Sequence, residues 1–141
     1  PTPTSTLAPA TMCMYVTNST NTVIRAESDG SGGVNMGALG GTLGGPWGVA
    51  LDEANGHMYV VSRSNSTIVR ANLSDAGGVN LGNLDGNLVT PYGIALDLAG
   101  GAMYVADADN RVVRANLDGS DGVNLGNLGG TACSTCNRAT P

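Results

Sequence analysis

The chain has 141 residues, among them 22 glycines and no phenylalanine, with six basic side chains against eleven acidic ones and a formal net charge of −5. This fits one domain, and the absence of lysine and of any basic cluster argues against nucleic acid or an anionic membrane surface as partner, since both require concentrated positive charge. No apolar run approaches the roughly 18 residues that cross a bilayer, and the N-terminus lacks the basic-then-apolar order of a signal peptide, so the chain reads as soluble with no membrane insertion.

Residues 1–12 form a Pro/Thr/Ser-rich segment of the kind found as linkers in secreted glycoproteins. Within it, Pro3 to Ala8 fall in register with Pro46 to Asp52 once one residue is taken as deleted, which makes them the expected inner strand of a first repeat. From residue 13 the chain is periodic. Tyr15, Tyr59 and Tyr104 each sit in Met-Tyr-Val, Arg25, Arg70 and Arg114 each precede alanine, and Val34, Val79 and Val123 each open Val-Asn-(Met/Leu)-Gly, at spacings of 44 or 45 residues. Pro46 to Asp52 return as Pro91 to Asp97. The repeats are placed at 13–42, 43–87 and 88–130, and residues 131–141 form a cysteine-containing tail that leaves the pattern.

Each repeat contains short apolar segments rich in β-branched residues and separated by Gly, Asn, Asp and Ser, the pattern of strands joined by tight turns. In the third repeat the expected strands are Gly93 to Leu96, Ala102 to Ala106, Arg111 to Leu117 and Gly122 to Leu128. In the third of these, Val113, Ala115 and Leu117 alternate with Val112, Arg114 and Asn116. Four strands per unit, repeated head to tail, predict an all-β fold of three four-stranded β-propeller blades.

The run Pro-x-Gly-(Val/Ile)-Ala-Leu-Asp, then Gly-x-Met-Tyr-Val, then Val112 to Ser120 resembles the LDL-receptor class B, or YWTD, repeat over roughly residues 3–130. The name-giving tetrad departs from that pattern, reading Tyr15-Val16-Thr17-Asn18, Tyr59-Val60-Val61-Ser62 and Tyr104-Val105-Ala106-Asp107, with no tryptophan. The third version is also similar to NHL repeats. The resemblance implies that six repeats close one ring, and that the ring is an extracellular interaction or spacer module without catalysis. Three blades are then half of a six-bladed ring with two apolar faces to cover. A pair of chains closing a ring, open stacking into a filament or surface structure, and a longer tandem are the three solutions; the first two make other copies of the chain its partners.

Candidate site residues are sparse. Trp47 and Tyr92 occupy one repeat position and are the best ligand-binding candidates, for carbohydrate or a protein partner. Asn18, Asn65 and Asn72 head glycosylation sequons, with the first two expected in turns and the third in a strand, which makes glycans a further partner class. Cys13, Cys133 and Cys136 are disulfide candidates for an oxidising compartment, and together with the sequons they favour an extracellular or cell-surface setting. Arg25, Arg70 and Arg114 are expected in blade-to-blade ion pairs with Asp52 or Asp97, the latter also being turn-capping candidates. Single His57 offers no partner for a catalytic relay or metal set. The Asp-rich turns at 107–110 and 118–122 match no EF-hand loop, so no catalytic residue, metal or cofactor is expected.

Overall fold

The structure, a computed structural model, describes residues 12–74, 77–108 and 110–128. They form three antiparallel sheets side by side. β1 (Cys13–Thr17), β2 (Val23–Glu27) and β3 (Val34–Asn35) make the first. β4 (Pro46–Asp52), β5 (His57–Ser62), β6 (Thr67–Asn72) and β7 (Val79–Asn80) make the second, and β8 (Pro91–Asp97), β9 (Ala102–Asp107), β10 (Arg111–Asn116) and β11 (Val123–Asn127) the third. The strands of the third sheet differ from the expected segments by one or two residues at their ends. The first sheet has three described strands; its expected fourth, at Pro3 to Ala8, lies outside the described residues. No ring closes among the described residues.

Local chemistry explains why strands form here. Val, Ile and Tyr fill a pleated surface that packs on neighbouring sheets, and the hairpins between the strands need left-handed backbone. Gly56 and Gly101 supply it, at φ 69° and 66°, between the first two strands of the second and third sheets. Asn21 and Asn110 supply it in the next turn of the first and third.

Alternation along β5 divides the interior into two layers. Met58 and Val60 point to the first sheet, into a cluster with Val23, Leu39, Val69 and Ala71. Tyr59 and Val61 point to the third, into a cluster with Ile68, Leu84, Met103, Val105 and Val113. The second sheet is therefore covered on both faces, whereas the outer two each have one neighbour. Inner strands β4 and β8 approach closely at Gly48, whose missing β-carbon would lie 2.7 Å from the Tyr92 carbonyl oxygen.

Candidate functional site

Two features of this surface stand apart from ordinary blade packing: the uncovered faces of the outer sheets, and a pair of exposed aromatic rings gathered about a half-buried arginine.

The repeat allows each face to be compared with its own covered copies. Met58, Val60, Met103 and Val105 are fully buried, yet their counterparts in the first sheet, Met14 and Val16, are 38% and 48% exposed. At the other end, Tyr59 is 2% exposed and Tyr104 36%; Leu39 and Leu84 are buried, and Leu128 is 61% exposed. Identical residue types thus change burial according to whether a neighbouring sheet is present. At the first inner contact the tyrosine also bonds across: the Tyr15 hydroxyl donates to the Leu73 carbonyl at 3.1 Å, and Arg25 to the same oxygen at 3.4 Å. Burial raises the pKa of both the Tyr15 and Tyr59 hydroxyls, with Arg25 and Arg70 beside them acting in the opposite direction.

Arginine–aspartate pairing across the sheets does not follow the expectation. Among the described residues the salt bridge is Arg111 to Asp107, at 2.6 Å within the third sheet. Asp52 instead accepts from the Asn55 amide and side chain, and Asp97 from the Gly100 amide, so both cap their own turns. Asp107 also accepts the Val89 and Thr90 amides, which ties the end of β9 to the chain entering β8. Ser62 does the same work one repeat earlier, exchanging hydrogen bonds with Gly44.

Trp47 and Tyr92 do meet. Their ring centroids are 5.7 Å apart, edge to face, and the Arg63 guanidinium lies 5.1 Å from the first and 4.9 Å from the second. Trp47 is 55% exposed and Tyr92 38%. Sequence reading missed Arg63 because it has no counterpart in the period: Ser19 and Ala108 stand in its place. Its one signal is position, immediately after β5, one residue past the strand end that faces the Trp47 segment.

Asn18 follows β1, and its side-chain oxygen accepts from the amides and hydroxyls of Thr20 and Thr22. Asn65 is exposed in a short 3-10 turn, Arg63–Asn65, where its side chain donates to the Thr42 carbonyl. Asn72 ends β6. Cys13 carries a free, exposed thiol; the other two disulfide candidates, Cys133 and Cys136, lie outside the described residues. His57 opens β5 opposite Asp52. Among the described residues no group of three or more His, Cys, Asp or Glu is placed to hold a metal ion.

A chain in the crystal structure of a nidogen/laminin complex superposes on this one with a TM-score of 0.64 at 24% sequence identity. The match covers 77% of this chain and 41% of that one, so the chain spans less than half the length of its structural neighbour. The fold is that of β-propeller blades. No family model matches the sequence, and no curated protein does.

Proposed function

We propose that the chain is a non-enzymatic extracellular structural module of YWTD-type blades that assembles with other copies of itself through blade-to-blade contacts, into a ring, filament or surface structure. One observation carries this reading: Met58, Val60, Tyr59 and Leu84 are buried against a neighbouring blade, while their repeat counterparts Met14, Val16, Tyr104 and Leu128 are exposed at the ends of the arc. Leaving such faces in water forgoes about 25 cal/mol per Å² of apolar area, a large fraction of the stability of a domain this size. The extracellular setting is supported by the sequons, the cysteines and the absence of lysine.

The test is the intact mass of the assembled protein by native mass spectrometry and electron microscopy. Twice the 14.0 kDa chain mass corresponds to a closed pair of half-rings, and long polymers to open growth. A stable, cooperatively folded 14.0 kDa monomer at high concentration contradicts the reading.

A second reading is favoured by the exposed rings of Trp47 and Tyr92 with the half-buried Arg63 beside them: recognition of carbohydrate or a protein partner. Exposed aromatic faces stack on sugar rings, and a guanidinium supplies hydrogen-bond donors beside them. Binding to immobilised neutral and acidic oligosaccharides that disappears in Trp47→Ala, with the oligomer intact, supports this reading; unchanged binding contradicts it.

A further inference from the structure

We infer that the two open ends mate directly and head to tail, with Leu128 of one copy seated over Gly33 of the next. This rests on the self-assembly reading and adds to it the residues, the direction and the type of contact.

Two such contacts are already made inside the chain. At the first, the Leu39 backbone occupies the space that a β-carbon on Gly78 would take; at the second, Leu84 does the same over Gly122. Both leucines are buried, and both glycines lie at the edge of the following blade. Each contact is thus a leucine of one blade on a glycine of the next, and only glycine leaves the room. Carried on by one period, the leucine is Leu128, and among the described residues it has no such seat. Carried back by one period, the glycine is Gly33, and nothing lies within 4 Å of the place where its β-carbon would be. Each end of the arc therefore carries one partner of the contact; Leu128, which does not share the left-handed backbone of Leu39 (φ 47°) and Leu84 (φ 54°), takes up that turn on seating.

A second pair repeats the relationship. Leu81 packs on Gly119, whose β-carbon would lie 2.7 Å from the Leu81 oxygen. The leucine one period on is Leu125, 42% exposed, and the glycine at the Gly119 position of the first blade is Gly30, again in open space. Charge agrees. Arg70 acts on Asp118 across the second contact, and the corresponding couple across the ends is Arg114 with Asp29. A mating surface built from two different patches is heterologous: it closes if the rotation permits and otherwise grows. A second copy is the occupant because the covering surface wanted at each end is the one this chain already presents at the other.

The experiment uses the full chain and two variants. Gly33 has no left-handed backbone requirement and has empty space around it, so Gly33→Leu leaves the isolated chain folded; Leu128→Asp alters an exposed side chain. Sedimentation velocity over a concentration series is expected to show that each variant weakens association by about tenfold or more, at unchanged far-ultraviolet circular dichroism and melting temperature. Mixing the variants is expected to restore a two-chain species that does not grow, because Gly33→Leu retains an intact Leu128 and Leu128→Asp an intact Gly33. If the unaltered chain associates and both variants match it, or mixing restores nothing, the head-to-tail contact is wrong while self-assembly stands. If the unaltered chain stays monomeric, both fail.

Discussion

The carbonyl oxygen of Leu84 occupies the space that a β-carbon on Gly122 would need, and Leu39 stands in the same relation to Gly78. Neither glycine has positive φ, so the demand is purely one of room. Gly78→Ala and Gly122→Ala are expected to destabilise the fold by about 1–3 kcal/mol through overpacking. Gly33→Ala, with the same change of residue in open space, is expected to stay within about 0.5 kcal/mol at concentrations where the chain is dissociated. Urea unfolding midpoints decide it; three equal losses would remove the close-approach explanation.

Legibility in the sequence followed the repeat. A period of 44 or 45 residues places Tyr15, Tyr59 and Tyr104 at equivalent strand positions, and Val113 and Ala115 alternate with Val112 and Arg114 as their burial shows. Periodicity also locates Leu128 and Gly33, but only side-chain burial reveals that one has lost its seat and the other its knob. What the repeat misled on was pairing. Arg25 and Asp52 both recur, and recurrence suggested that they meet; in fact each has a nearer partner, a carbonyl for Arg25 and Asn55 for Asp52. Arg63 breaks the period, and no comparison between repeats could find it. Its role depends on two rings that only the packing of the second blade on the third brings together.

Asp107 ties the end of β9 to the chain entering β8 within the third blade. Its buried carboxylate receives two backbone amides and the Arg111 guanidinium. Asp107→Ala leaves those donors without their acceptor, and a loss of about 2–4 kcal/mol is expected, between that of one unmet buried group and that of a broken buried pair. Asp107→Ser restores an acceptor of the kind Ser62 provides and is expected to recover a measurable part of the loss. Chemical denaturation of the two variants checks this; equal losses would show that the amides do not depend on the side chain.

Acid sensitivity is expected at the turns of Asp29 and Asp118. The hydroxyl and then the amide of Ser120 hold the Asp118 carboxyl below its usual pKa, with Arg70 contributing last, and Ser31 does the same for Asp29. A depressed pKa means that the unfolded chain takes up protons first as pH falls. The stabilisation is therefore complete above the usual carboxylate pKa and is lost as pH falls through the lowered native one. Both groups are exposed, so the effect on stability is small and the titration itself is the better readout. Ser120→Ala is expected to move the Asp118 carboxyl-carbon titration upward, towards the usual value, and Arg70→Gln to move it less. The reverse order would assign the shift to charge rather than to the hydroxyl.

Arg63 joins two blades through rings rather than through an ion pair. Trp47 opens the second blade's inner strand and Tyr92 the third's, and the guanidinium lies within 5.1 Å and 4.9 Å of their centroids. A cation over exposed rings contributes about 0.5–1 kcal/mol each, so a double-mutant cycle of Arg63→Ala with Trp47→Ala is expected to give a coupling of that size. Because Trp47 is the one tryptophan, its fluorescence reports the cluster directly. Removing Arg63 frees one ring face to water and is expected to shift emission to the red, with the larger shift in Arg63→Ala and a smaller one in Arg63→Lys, whose ammonium keeps the charge but not the planar stack. Identical spectra for the three proteins, with zero coupling energy, would mean that the ring pair alone sets the geometry and that Arg63 merely lies across it.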